Sequence, residues 1–288
     1  MHLILISGWM ISFLRNKIRI DRRIMKLYHY TTFANFCSIW ESKTLKFSYS
    51  KNTNDYFERE KSFVYDQGKF AEKEKVWGYL SFEKIRSLVS AELEKYRQIS
   101  FSLDYSKKIP GYASPMMWGQ YARSKDDDGK WHDGVCIELD SDMLDRPSNL
   151  IFEHRINYPI KVKSPYLHRV DFTRENAAER FVIKYRNMLF FTKHKHWEHE
   201  REYRFVSKFE DEIGIANAIT GLYVLGFNSP ISNRIEEVVK DDSLINFLII
   251  TGTEDRILES INLKWYRDTL KLMKQMNEGN KQSKGQIP

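Results

Sequence analysis

The chain has 288 residues, 42% of them hydrophobic and 30% charged, and this composition excludes an intrinsically disordered protein. The formal net charge is +7, but residues 1–24 carry +4 and residues 271–288 carry +3, which leaves residues 25–270 neutral. The overall charge therefore does not indicate a basic nucleic-acid-binding surface on the main part of the chain.

In chain order, the hydrophobic patterns predict strands separated by helices, without a repeat or a linker rich in Pro, Gly or Ser. The predicted strands are at residues 27–30, 45–48, 99–102, 135–139, 152–162, 200–206, 221–225 and 247–250. The predicted helices are at residues 33–40, about 70–96, 115–122, 176–190, 232–239 and 265–276, and residues 124–133 are predicted to be a polar loop. This order indicates a single α+β domain, residues 25–270, followed by a basic polar tail, residues 271–288.

The first residues form an apolar run that is too short to span a bilayer. Positive charges follow this run, which is the reverse of their order in a secretory signal. We expect residues 1–24 to be a poorly packed extension, with a peripheral membrane anchor as the alternative. Cys37 and Cys136 form neither a disulfide framework nor a CxxC zinc pattern. These features predict a cytoplasmic protein without a transmembrane segment.

The first candidate motif is His29-Tyr30-Thr31, at the end of the first predicted strand. A neutral imidazole there can hydrogen-bond a ribose hydroxyl, and a neighbouring tyrosine can stack on a planar base. A strand-end histidine that bonds only to backbone is the alternative. Thr31 or Thr32 is also suited to cap the helix that follows.

Two further motifs carry polar side chains that either serve the fold or reach a ligand. Asn54 and Asp55 lie in a turn before Glu58, where Asp55 can cap a short helix. Ser100 and Ser102 share one face of their predicted strand, and their hydroxyls need partners if that face is buried. A ligand can be that partner, and so can a neighbouring strand or water.

Aromatic residues and histidines give two more candidates. Trp118 and Tyr121 share one face of a predicted helix, where they either pack in the core or line a pocket. His194 and His196 share a strand face, but His199 has the opposite parity, and no Cys or distant His-rich segment completes a metal site. We therefore predict no metal.

The last motif is the alternating charged face formed by Glu200, Glu202 and Arg204. Repulsion between two neighbouring carboxylates can raise the pKa of one of them, whereas the positive charge of the arginine favours their ionised forms. Such a carboxylate can stabilise an oxocarbenium ion during cleavage of a glycosidic bond. The alternative is an edge strand with a charged outer face. The motifs GxxxxGK[ST], GxGxxG and GxSxG are absent, which disfavours phosphate-loop ATPases, Rossmann dehydrogenases and elbow-type serine hydrolases.

Together these motifs resemble a large bacterial family, the domain of unknown function 2971 (DUF2971), over about residues 25–250. The resemblance is carried by residues 27–31, 45–48, 54–58, 101–102, 117–122, 134–138 and 197–204. The opening is also similar to that of DNA-modifying ADP-ribosyltransferase toxins and RNA 2′-phosphotransferases, where a strand with His precedes a helix and a short strand. This similarity implies a split, mostly antiparallel β-sheet with inserted helices.

The resemblance to ADP-ribosyltransferases of the His-Tyr-Glu kind implies roles for individual residues. In those enzymes the His contacts the nicotinamide-side ribose, the Tyr stacks on nicotinamide, and a later strand supplies the catalytic Glu, sometimes within Glu-x-Glu. His29 and Tyr30 would then hold NAD, and Ser102 would lie on the middle strand. Glu202 would be the catalytic carboxylate, paired with Glu200. The other candidates for NAD binding are Thr31, Asn54, Trp118, Tyr121 and Arg204, of which Arg204 lies outside the transferase pattern.

The resulting prediction is an ADP-ribosyltransferase or NAD glycohydrolase, either a toxin or a phage-defence effector, with NAD as substrate. Its acceptor would be nucleic acid or protein, and an antitoxin or defence protein would be its partner. One alternative is a non-catalytic sensor that binds a nucleotide or a nucleic-acid end. Another is an RNA nuclease or phosphotransferase that uses the histidines and the acidic pair.

Overall fold

The structure is a computed structural model, and it describes most of the chain after residue 24. The described residues are 25–49, 53, 55–59, 61–65, 81–125, 129, 131–146, 152–167, 172, 176–208, 212–225, 230–241, 243–251 and 257–284. The prediction for residues 1–24 lies outside them. No helix within the described ranges combines the length and the apolar character needed to cross a bilayer.

The described strands confirm an α+β fold with a mostly antiparallel, mixed and open sheet. They are β1 (Lys26–Thr31), β2 (Thr44–Lys46), β3 (Ser48–Tyr49), β4 (Arg97–Ser102), β5 (Arg123–Lys125), β6 (Trp131–Asp133), β7 (Val135–Asp140), β8 (Phe152–Arg155), β9 (Glu202–Ser207), β10 (Glu212–Gly214), β11 (Ile219–Leu225), β12 (Ile245–Thr251) and β13 (Ile257–Asn262).

The described helices lie between these strands. They are α1 (Phe33–Ser42), α2 (Tyr56–Arg59), α3 (Phe82–Leu93), α4 (Pro115–Tyr121), α5 (Ala177–Lys184), α6 (Arg186–Phe190), α7 (Pro230–Val239) and α8 (Leu263–Lys284). Short 3-10 helices are at Gly111–Ala113, Ser141–Met143 and Lys195–Glu200.

Nine of the described strands form the main sheet, in the order β13–β12–β11–β7–β1–β4–β9–β8, with β3 also paired to β4. Their pairings are antiparallel except that of β11 with β12. Because parallel neighbours need a crossover connection, the chain leaves the sheet after β11 and returns through α7. The pairs β2–β10 and β5–β6 are separate small sheets.

Alternation along β1 divides the hydrophobic core between the two faces of the main sheet. Leu27 packs in a cluster with Phe36 of α1, whereas Tyr28 and Tyr30 pack in another cluster with Trp118 of α4. All five side chains are buried. The sheet is therefore covered by helices on both sides of β1, which fixes the direction in which each of its side chains points.

Several predicted helix starts are confirmed by their capping contacts. Thr32 precedes α1, and its hydroxyl accepts a hydrogen bond from the backbone N–H of Asn35 at 3.4 Å. Ser114 caps α4 in the same way, and Pro115 occupies the first turn, where its missing N–H has no intrahelical role. The helix predicted over about residues 70–96 is described only as α3, Phe82–Leu93, capped by Ser81; its predicted start lies outside the described ranges.

Other predicted elements have different bounds in the structure. The strand predicted to end at residue 162 ends at Arg155, because the chain then pairs Asn157 with Thr192. The predicted polar loop contains the β5–β6 pair. The helix predicted over residues 176–190 is interrupted at Tyr185 and forms α5 and α6. The last helix, α8, continues past its predicted end to Lys284.

Candidate functional site

A cavity lies where β1 and β4 separate within the main sheet. These strands pair at one position, Tyr28 with Ser102, and β3 pairs with the opposite end of β4 at Gln98. Between those positions the edge of β4 borders a cavity of about 420 Å³. A strand edge presents N–H and C=O groups, so this gap offers polar contacts in addition to its concave shape.

Most of the residues predicted from the sequence as a site border this one cavity. Those that line it are His29, Tyr30, Ser102, Tyr121, Glu200, Glu202 and Arg204. Thr31 and Trp118 are buried and are not among the described lining residues, so their side chains serve packing. Asn54 lies outside the described residues. The residues of four separate predicted motifs therefore meet at the gap between β1 and β4.

His29 and Tyr30 stand at the β1 side of the gap. The Nδ1 atom of His29 lies 3.4 Å from the carbonyl oxygen of Ser100, and burial lowers the pKa of the imidazole, which favours its neutral form. The hydroxyl of Tyr30 donates a hydrogen bond to the Gly111 carbonyl at 2.5 Å. Its ring meets Trp118 edge-on at 5.3 Å, so Trp118 supports Tyr30 from behind.

A buried group of five charged side chains forms the opposite wall; we call it the ion cluster. The Nζ atom of Lys193 lies 2.6 Å from Glu200, 2.9 Å from Glu202 and 3.7 Å from Glu58. Arg204 contacts Glu58 at 2.6 Å and contacts Glu202 through Nη2 at 2.6 Å and Nε at 2.7 Å. Every member is at most 6% exposed, so each charge depends on the others for solvation.

The backbone explains why Glu200 and Glu202 face the same cavity. The predicted strand over residues 200–206 begins at Glu202, and Glu200 instead ends a 3-10 helix. Arg201 joins them in a left-handed conformation with φ of 49°. The alternative of a solvent-facing edge strand is wrong, because β9 lies between β4 and β8 and Arg204 is 1% exposed.

Hydroxyl groups complete the contacts of the two carboxylates. The hydroxyl of Ser100 on β4 donates to the Glu202 carboxylate on the neighbouring strand β9. The backbone partner of Glu202 in this pairing is Ser102. Tyr121 at the end of α4 donates its hydroxyl hydrogen to Glu200. These contacts hold the carboxylates at fixed positions before any ligand enters, which is the arrangement that electrostatic catalysis requires.

The surroundings shift the pKa values of the two carboxylates in opposite directions. Burial alone would raise the pKa of Glu202, but the positive charges of Arg204 and Lys193 outweigh it and lower the pKa to about 2. Burial raises the pKa of Glu200. The positive charge of Lys193 lowers it, and the negative charge of Glu202 raises it further, so that the pKa is raised overall. Such divergence separates a permanently ionised carboxylate from one that can exchange a proton.

Two members of the ion cluster were missed as site residues. Glu58 was predicted only as part of a capped helix, and Lys193 had no sequence signal, since an isolated lysine is normally exposed. Both are buried and paired in the structure. The cavity is further lined by Lys46, Ser48, Thr53, Gln98, Ile99, Phe101, Met117, Gln120 and Arg123.

The three neighbouring histidines lie in and beside the 3-10 helix before β9. The backbone N–H of His196 donates to Nδ1 of His194 at 3.3 Å, and Nδ1 of His199 lies 3.0 Å from the His196 carbonyl oxygen. In the part of the chain that is described, no group of three or more His, Cys, Asp or Glu residues is placed to hold a metal ion. Besides these local contacts, Nε2 of His199 lies 3.5 Å from the side-chain oxygen of Gln120 on α4.

Comparison with known proteins connects part of this site with a family. Residues 117–205 match the model of the family described as "Protein of unknown function (DUF2971)". The match supports the resemblance to that family over those residues. They include Tyr121 and the four cluster members other than Glu58, whereas His29 and Tyr30 lie before the match. Neither a curated protein nor a solved structure matches the chain.

Proposed function

We propose that the chain is an NAD-dependent ADP-ribosyltransferase-like enzyme whose active site is the cavity between β1 and β4. The supporting observation is that His29 and Tyr30 border the same cavity as Glu200 and Glu202, two carboxylates with opposite pKa shifts. The cavity volume of about 420 Å³ suits part of a dinucleotide. The acceptor is a group on a nucleic acid or a protein, as for a toxin or phage-defence effector, or it is water.

The proposed reaction transfers ADP-ribose at ribose C1′. The bond from C1′ to the nicotinamide nitrogen breaks, its electron pair leaves with nicotinamide, and an oxocarbenium ion forms. Ionised Glu202 places negative charge beside this cation. The acceptor then bonds to C1′ and loses its proton to Glu200, whose raised pKa suits it to accept one. Neutral His29 can hydrogen-bond a ribose hydroxyl.

The charge balance of the ion cluster agrees with this division of roles. Its three carboxylates, Glu58, Glu200 and Glu202, face two cations, Lys193 and Arg204. When all five are ionised, one negative charge remains, and it lies next to the cavity. A cation that develops in the cavity would be stabilised more than a neutral ground state, which is the requirement for catalysis.

Replacing the predicted catalytic carboxylate tests the proposal. We expect Glu202→Gln to lower the rate of nicotinamide release from NAD at least about 100-fold, because the charge that stabilises the transition state is removed. Release is measured by chromatography, with water, oligonucleotides and a protein extract as acceptors. Glu200→Gln, which keeps the contacts between Glu202 and Arg204, is the second variant if Glu202→Gln unfolds.

Glu138→Gln is the matched control. Glu138 is a buried carboxylate of the same sheet, paired with Lys26 at 2.9 Å and hydrogen-bonded to Tyr223, and it does not line the cavity. We expect this variant to release nicotinamide at close to the wild-type rate. Circular dichroism checks that each variant folds. The proposal is wrong if wild-type protein releases no nicotinamide with any acceptor, or if folded Glu202→Gln retains the wild-type rate.

A second function is a sensor that binds a nucleotide without consuming it. It is favoured by the ion pairing of Glu202, one of whose oxygens contacts Ser100 and Arg204 while the other lies 2.9 Å from Lys193. A carboxylate engaged in this way can shape a binding pocket instead of acting in a reaction. Calorimetry with NAD separates the two functions, since the sensor binds NAD and leaves it intact over hours.

A further inference from the structure

A second cavity, of about 480 Å³, lies on the other side of the ion cluster. Glu58 and Lys193 contribute to the walls of both cavities. The chain forms the outer wall of the second one with an irregular stretch that is held at both ends, where Asn157 pairs with Thr192 and Tyr166 pairs with Val64. Between these two bridges the stretch runs along the cavity. Backbone pairing at both ends therefore holds this wall of the cavity in place.

Lysines dominate the charge of this second cavity. Lys61, Lys161, Lys163 and Lys193 line it, together with two carboxylates, Asp55 and Glu58. Glu58 already forms an ion pair with Arg204 at 2.6 Å. Lys161 and Lys163 are exposed, and neither makes an ion pair with any carboxylate among the described residues. Lys193 is paired with Glu200 and Glu202, so Lys161 and Lys163 supply the positive charge of the exposed wall that no described carboxylate pairs.

The remaining lining groups suit a ligand that is more than a simple ion. Ser62 and Ser164 lie with their hydroxyl oxygens 2.6 Å apart at the wall, where they add hydrogen-bond donors. Ile160, Val162 and Met188 also line the cavity although each is at least 37% exposed. Exposed apolar side chains beside lysines provide contacts for an organic group attached to an anion.

Lys61 is the lysine of this cavity whose pKa is lowered by its surroundings. Burial lowers its pKa to about 8, and the positive charges of Arg204 and Lys193 act in the same direction against Glu58 and Asp55. The other charged or titratable groups that line the cavity are Lys161, Lys163 and His194. An anion beside Lys61 would favour its protonated form, so binding of the anion would be accompanied by proton uptake near pH 8.

We propose that the second cavity binds the phosphate group of an organic ligand through Lys61, Lys161 and Lys163. Phosphate suits this set, since lysines and hydroxyls line one cavity and can donate to its oxygens. The phosphate belongs either to a mononucleotide or to an oligonucleotide. The cavity shares Glu58 and Lys193 with the one proposed for NAD, but Lys61, Lys161 and Lys163 line only the second cavity, so this proposal does not depend on the first.

Calorimetry with phosphorylated and unphosphorylated probes tests this site. The probes are adenosine, AMP, and a short single-stranded oligonucleotide with and without a 5′-phosphate. We expect Lys161→Glu/Lys163→Glu to weaken binding of the preferred phosphorylated probe at least about tenfold. The matched control, Lys107→Glu/Lys108→Glu, makes the same charge change at exposed lysines away from both cavities and should leave affinity within about twofold.

A second measurement keeps the test independent of NAD binding. At pH 8.5, titrations in two buffers of different ionisation enthalpy should show proton uptake by wild-type protein and none by Lys61→Met. Preference for AMP identifies a mononucleotide, and preference for the longer probe identifies nucleic acid. The proposal is overturned if phosphate adds no affinity, if both double variants weaken binding equally, or if Glu202→Gln removes phosphate binding while the lysine variants retain it.

Discussion

The two ends of β9 hold charged side chains in different ways. At its start, Glu202 and Arg204 belong to the ion cluster and are at most 3% exposed. Just after its end, Lys208 contacts Glu92 of α3 and Glu179 of α5, each at 2.7 Å, and the Glu179 side chain is 38% exposed. The ion cluster as a whole borders two cavities, whereas Lys208 joins two helices to the sheet.

This difference separates charges that serve a site from charges that serve the fold. Burying an ion has a desolvation cost that its pairing repays only in part, so a fully buried cluster is a poor means of stabilising a protein. Ion pairs that reach solvent have a smaller desolvation cost and also contribute less to stability. The ion cluster is therefore better explained by what it does at the cavities than by stability. The following predictions test that contrast.

The largest effect is expected at Arg204. Arg204→Met removes the guanidinium between Glu58 and Glu202 and leaves two buried carboxylates without it, so we expect the free energy of unfolding to fall by about 3–5 kcal/mol. Urea unfolding followed by circular dichroism measures the change. A loss below about 1 kcal/mol would show that the cluster rearranges freely, contrary to the fixed geometry described above.

The next effect is the dependence of stability on acid pH through Glu202. Its pKa in the folded protein is about 2, against an ordinary value of 4.5, so its contribution is complete above pH 4.5 and is lost as pH falls through about 2. That shift corresponds to about 3 kcal/mol. Urea unfolding of wild type and Glu202→Gln from pH 6 to pH 2 should show their difference in stability shrinking over this window. A constant difference would contradict the lowered pKa.

The smallest effect is expected at the other end of β9. Lys208→Met removes a contact with partly exposed Glu179 and one with buried Glu92, which keeps its ion pair with Lys95 at 2.6 Å, so we expect the free energy of unfolding to fall by only about 1 kcal/mol. Nicotinamide release should be unchanged, since Lys208 lies away from both cavities. Urea unfolding of Lys208→Met and Arg204→Met measures the two losses in free energy of unfolding. An equal loss in both variants would remove the distinction between the two ends of β9.

The sequence by itself determined the strands that form the centre of the sheet and the faces of their side chains. β1, β4 and β7 are where alternating and apolar runs predicted them. Glu202 and Arg204 share a face as period two requires, and the sequence also marks His29 and Ser102 as candidate site residues. These features are local: they depend on neighbouring residues and on the backbone, so the pattern of residue types is enough to find them.

Only the tertiary structure decided which of these residues meet and which charges are buried. It brings Glu58 and Lys193 into the ion cluster, places Trp118 behind Tyr30, and makes β9 an interior strand. It also opens the gap at which β1 leaves β4. Burial and ion pairing arise from contacts between segments distant in the chain, and the residue types of one segment do not specify its distant neighbours.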